Sequence, residues 1–85
     1  MIHALKIKPC YFHPVAMKKK RFEIRDNRDR DFQAGDRLII NEFDGKETGR
    51  YVEATITYVT NYSQKENYVV LSIDVDFIGD KNNEL

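Results

Sequence analysis

Between Lys18 and Arg30 the chain places seven lysines or arginines in thirteen positions and interleaves them with Phe22, Glu23, Ile24, Asp26, Asn27 and Asp29. Arginine presents a planar fork that fits a phosphate or a base edge, and lysine adds a flexible point charge. The same residues also suit a solvated face on which arginines and aspartates pair locally, because exposed ion pairs are common and individually weak. The two uses differ in geometry: a binding site needs Lys20, Glu23 and Arg25 to converge on one concavity, whereas a solvated face disperses them among Asp26, Asp29 and Asp31. The residues singled out for binding a nucleic acid or nucleotide are Tyr11, Lys19, Lys20, Glu23, Arg25 and Arg28. Arg25 and the lysines would hold phosphate, Glu23 would accept from a base N–H, and Tyr11 would stack on a base.

Other chemistry is poorly supplied. His3 and His13 fall on different expected elements and lack a third ligand at useful spacing, whereas a catalytic zinc needs three protein ligands and an open position. No metal and no cofactor is expected. Cys10 is the only cysteine, which excludes an internal disulfide and every multi-cysteine zinc pattern and fits a reducing cytoplasm. It reads as a small buried side chain.

The formal charge is zero, so there is no global attraction to polyanions, but its distribution is uneven. Met1 to Arg37 holds ten Lys or Arg against five Asp or Glu, a balance of +5, and Leu38 to Leu85 holds four against nine, a balance of −5. A fold that gathers the first half on one face would present a basic surface on a neutral molecule. With 85 residues, 41% hydrophobic and 33% charged, the chain has material for one small core. The expected organisation is one domain over residues 1–78 and a flexible tail over 79–85. No apolar run approaches the roughly 20 residues that span a bilayer, and the start lacks a basic region followed by an apolar one. The expectation is a cytoplasmic monomer or weak dimer with no membrane partner.

The elements that must position the basic segment follow from periodicity. Ile2 to Ile7 alternates as a strand with His3, Leu5 and Ile7 on one face. A helix of two or three turns is expected from about Cys10 to Lys19, with Pro14 in its first turn and Lys18 to Lys20 at the negative end of its dipole. Tyr11/Val15 and Phe12/Ala16 form its apolar stripe, and at least one of Tyr11 and Phe12 belongs to the core. Arg21 to Arg25 reads as a strand with Phe22 and Ile24 facing the core and Glu23 and Arg25 opposite. After a polar loop, Gln33 to Asp36 supplies a turn in which Gly35 can take a positive φ. Arg37 to Phe43 and Arg50 to Tyr62 flank a hairpin loop, and Tyr68 to Phe77 puts Val69, Leu71, Ile73, Val75 and Phe77 on one face. Five strands and one early helix predict an α+β, mainly β fold: a small mixed β-barrel whose closure removes exposed edges.

Lys20-Arg21-Phe22-Glu23-Ile24-Arg25, then a polar loop and Phe32-Gln33-Ala34-Gly35-Asp36-Arg37-Leu38, resembles the ASCH-domain pattern of a lysine at a helix end, a Glu-x-Arg strand and a Gly-Asp opening the next strand. With His3-x-Leu5-Lys6-Ile7 and Tyr11-Phe12, the match extends from Ile2 to about Ile73 and is similar to the short, phage-associated branch of that family. The resemblance implies a PUA-like barrel with a cleft beside the first helix and a role in binding RNA or nucleotides. Some ASCH relatives resemble amidohydrolases that deacylate modified cytidine with a lysine, a threonine three residues on and a later glutamate. Lys20 falls on the lysine, but Glu23 stands at the threonine position and Tyr68 to Phe77 holds no glutamate. A carboxylate cannot serve as the hydroxyl that a lysine deprotonates, so no catalytic residue is assigned. The competing expectations are a nucleoside-modifying enzyme and a phage accessory protein that binds a host protein through a strand edge.

Overall fold

The computed structural model describes residues 1–83. Alternation at period two builds the first strand, β1 (Ile2–Ile7), with His3, Leu5 and Ile7 buried and their neighbours exposed. Helix α1 (Pro9–Ala16) follows at once, and then come β2 (Phe22–Asp26), β3 (Arg37–Phe43), β4 (Glu47–Thr60), β5 (Tyr68–Asp80) and a single 3₁₀ turn over Lys81–Asn83. The strands form one sheet in the order β1-β3-β4-β5-β2. β1 runs parallel to β3, and the other neighbours are antiparallel.

The sheet curls into a half-barrel around a core that includes Leu5, Phe12, Val15, Leu38, Ile40, Val52, Ile56 and Leu71. Two bulges bend its long hairpin: Thr57 is the extra residue on β4 and Asp76 the extra residue on β5. Closure is less complete than the sequence predicts. β1 and β2 are the sheet's edges, and the guanidinium of Arg25 crosses the seam between them to the carbonyl of Lys6 at 2.9 Å.

Four local expectations need correction. Helix α1 is shorter than Cys10 to Lys19 and carries Pro14 in its interior, where the missing N–H cannot bond back to the preceding turn. Lys18 ends it in a left-handed conformation at φ 61°, so Lys18 to Lys20 form a turn and not a last helical turn. Cys10 lies on the helix face opposite Phe12 and Val15 and is exposed. Phe77 is 52% exposed because the Asp76 bulge reverses the alternation, which places Ile78 opposite buried Val52.

One more correction bears on the site. Phe22 and Ile24 are 43% and 49% exposed, and Glu23 is 3% exposed. The phase of β2 is set by its partner: Glu23 pairs with Leu71, whose side chain is fully buried, so Glu23 shares the inward face. Residues 79–85 divide differently from the expected tail. Gly79 and Asp80 complete β5, the amide of Asn82 donates to the Thr48 carbonyl at 2.8 Å, and Glu84 and Leu85 lie outside the described residues.

Gly35 takes φ 96° in the turn before β3, as its place in Gln33 to Asp36 predicts. Asp36 closes that turn. Its carboxylate accepts from the Gln33 N–H at 3.1 Å and pairs with the buried His3 ring at 2.9 Å, and Phe32 packs on that ring with centroids 4.6 Å apart. The helix is pinned by a second carboxylate. Glu42, 3% exposed, accepts from Arg50 Nε at 2.8 Å, from Arg50 Nη2 at 2.6 Å and from the Thr48 hydroxyl at 2.7 Å, and the same guanidinium lies 5.0 Å from the centre of the Phe12 ring.

The Arg50 hydrogen bonds, with help from Thr48, hold the Glu42 carboxyl below its ordinary value of 4.5. A depressed carboxylate contributes stability that is present above its unfolded value and is lost as pH falls through the folded one. The urea midpoint should therefore fall below about pH 4.5, and Glu42→Gln should fall less over the same window. Equal slopes for the two proteins would show that Glu42 does not carry the acid sensitivity.

Candidate functional site

The seam between β1 and β2 opens into a cleft of about 480 Å³. β1 and the residue after it contribute Lys6, Ile7 and Lys8, helix α1 contributes Tyr11, and Lys20 with Phe22 to Arg25 forms the opposite wall. Lys20 and Arg25 flank the one carboxylate, Lys8 lines the rim, Lys6 contributes its backbone while its ammonium rests 4.6 Å from the centre of the Phe43 ring, and Tyr11 and Phe22 supply aromatic rings.

Glu23 organises this charge. One carboxylate oxygen accepts from the Lys20 ammonium, and the other accepts from Arg25 Nε at 3.2 Å and Nη2 at 2.8 Å. Lys20 also donates to the Phe22 carbonyl at 2.8 Å, and its nitrogen sits 4.8 Å from the Phe22 ring centre and 5.6 Å from that of Tyr11. The lysine is held between two rings by its turn, which folds back when the Lys19 and Lys20 N–H groups both donate to the Pro14 carbonyl. A buried carboxylate between two cations fixes their positions, whereas free lysine and arginine chains would sample many rotamers. Both Glu23 oxygens are occupied, so its geometry suits positioning Lys20 and Arg25 better than reading a base.

Of the residues singled out from sequence, Tyr11, Lys20, Glu23 and Arg25 come together in the cleft, and Lys20, Glu23 and Arg25 converge without pairing to Asp26, Asp29 or Asp31. Lys19 is exposed outside it. Arg28 lies beyond the end of β2, where its Nε donates to Asp26 at 2.9 and 3.0 Å and holds that carboxyl below its usual range. It lines a separate concavity with the β4–β5 connection. Sequence reasoning missed Lys6 and Lys8, whose part depends on β1 and β2 meeting at the seam, and it placed Phe22 in the core.

His3 and His13 do not form a metal site: His3 is buried against Asp36 and His13 is exposed on α1. Among the described residues, no group of three or more His, Cys, Asp or Glu is placed to hold a metal ion. No helix among them is long and apolar enough to cross a membrane.

A family model described as "Domain of unknown function (DUF3850)" matches residues 2–73. The uncharacterized 12.9 kDa protein in the GpA 3′ region of Escherichia phage P2 is 47% identical over 72 residues. That similarity covers 82% of this chain and 65% of the phage protein, so the chain spans less than two thirds of that relative's length.

Proposed function

The chain belongs to the DUF3850 family, and from that footing we propose that it is a small RNA- or nucleotide-binding module whose half-barrel is of the PUA-like, ASCH type. The observation that carries the reading is the cleft itself: Lys20 and Arg25 held on a buried Glu23, Lys8 on the rim, and Tyr11 and Phe22 as walls. The cations attract phosphate, and Tyr11 and Phe22, each half-exposed with Lys20 over its ring, leave ring surface for a base that is free of a duplex, which is the combination single-stranded recognition uses. A neutral chain achieves this because the basic half of the sequence supplies all the cleft's cations while the acidic half builds β4 and β5.

Contacts to two to four phosphates give a single-strand salt slope of about −0.7 per phosphate, so affinity should fall roughly 7- to 50-fold between about 50 and 200 mM salt. Lys8 makes no side-chain ion pair among the described residues, so Lys8→Met tests the charge without disturbing Glu23. It should reduce the slope by about 0.7 and leave the melting temperature unchanged. The measurement is fluorescence anisotropy of a labelled oligonucleotide across a salt series. Absence of binding even at low salt would overturn the reading and favour a protein partner. The edge of β5 beyond Ser72, where β2 no longer covers it, is then the surface to probe.

A further inference from the structure

Resting on the nucleotide-binding reading, we infer that the ligand is a single-stranded oligonucleotide and that a second concavity, at the tip of the β4–β5 hairpin, takes one of its bases. This concavity has a volume of about 370 Å³ and is built from Asn27 and Arg28, just after β2, and Asn61, Gln64, Asn67 and Tyr68 from the hairpin connection. It is at the low end of the roughly 300–1,000 Å³ typical of small-ligand sites. A single nucleotide in the seam cleft leaves it empty.

The chemistry of the second concavity suits a base and not a phosphate. Arg28 is already paired with Asp26, and Lys65 and Glu66 on the lining offset each other, so the concavity carries no net charge to hold a phosphate. The side-chain amides of Asn61 and Asn67 make no hydrogen bond among the described residues. Each amide offers both a donor and an acceptor, the pairing that a base edge requires. The half-buried Tyr68 ring adds apolar area beside them, with the Lys65 ammonium over it at 5.2 Å from its centre, so a base that stacks there displaces that ammonium.

Position joins the two sites. Arg25, on the edge strand, lines the seam cleft, and Arg28, in the turn just after that strand, lines the hairpin concavity. Three residues of extended chain span at most about 10 Å, a distance that a short run of nucleotides crosses. The seam cleft opens on the unpaired side of β2 and the second concavity at its end beside β5, so a ligand backbone that occupies both rounds the turn after Asp26.

The test compares adenosine monophosphate with oligoadenylate and oligouridylate of two, four and six nucleotides, each as RNA and as DNA, against the full chain at low salt. Expected is a rise in affinity of about tenfold or more from the mononucleotide to the tetranucleotide, followed by a plateau, since each stacked base adds substantially. Asn61→Ala combined with Asn67→Gly should remove most of that gain and leave mononucleotide affinity unchanged. Glycine is chosen because Asn67 sits at φ 67°, a conformation it tolerates without strain. Equal affinity for mononucleotide and hexanucleotide would overturn the second site while leaving the seam cleft standing. Binding of none of the probes would overturn both. Tighter binding of RNA than DNA would identify the ribose hydroxyl as part of what is read, and equal binding would assign the sites to single strands of either kind.

Discussion

Phe12→Ala is expected to lower the stability of the domain by about 3–5 kcal/mol, the range for emptying a buried aromatic position. Phe12 is 1% exposed and is, with Val15, what attaches the two-turn helix to the sheet. A helix of eight residues with proline inside it has little stability of its own, so it persists through this packing. Its loss also strips the apolar surface from beneath the Arg50 guanidinium, and so weakens the fixed partner of Glu42. Against a total of about 5–15 kcal/mol for a small domain, the melting temperature should drop by about 12 °C or more. Cys10→Ala, two residues away on the exposed face, is the control and should leave it within about 2 °C. A drop of only a few degrees for Phe12→Ala would mean that α1 is held by something other than its apolar face. Because Tyr11 and Lys8 ride on this helix and its cap, oligonucleotide affinity measured below the transition should weaken as well.

How far such arguments could be made from sequence differs strand by strand. β1 and β3 were legible because their apolar residues recur at every second position and have no competing polar explanation. Continued one step, that same alternation in β3 places Glu42 on the buried face after Leu38 and Ile40. A buried carboxylate requires a cation, which Arg50 supplies from the next strand, so this pair was readable from the pattern. β2 was not. Its period of two is correct, but in five residues that carry apolar and charged groups on alternate positions, hydrophobicity chose the wrong phase. The seam decides otherwise: a strand at an open edge has no second layer to bury Phe22 and Ile24, while Lys20 and Arg25 make it possible to bury Glu23. That compensation depends on a turn folding back through Pro14 and on β1 lying across the seam, neither of which is a local property of the sequence. The convergence of Lys20, Glu23 and Arg25 was legible as a possibility from spacing, since the acid at i+3 stands between cations at i and i+5. The addition of Lys6 and Lys8 needed the fold.

The cluster at the seam should prove dispensable for stability and indispensable for binding, and the triple replacement Lys20→Met, Glu23→Leu, Arg25→Met separates the two. Replacing a buried ionic cluster by apolar residues of similar volume is often neutral or stabilising, because the desolvation of the charges disappears together with their attraction. The triple variant is therefore expected to melt within a few degrees of the parent or above it. The double variant Lys20→Met, Arg25→Met behaves differently. It leaves a carboxylate that is 3% exposed with neither cation, and an unsatisfied buried acceptor costs about 1–3 kcal/mol, with more for a charge. The partial exposure of Lys20 and Arg25 lets water reach the site, which keeps the cost near the low end of that range. Binding should follow a different order. Both variants lose two charge-assisted contacts of about 1.5–3 kcal/mol each, so oligonucleotide affinity should fall by about a hundredfold or more in both, whichever is the more stable. Thermal melts and anisotropy titrations on the same three proteins read the two effects separately. A triple variant that unfolds far below the double would make the ion cluster a structural keystone of the seam. A stable triple variant that still binds within a few-fold of the parent would remove the cleft as the ligand site and with it the proposed function.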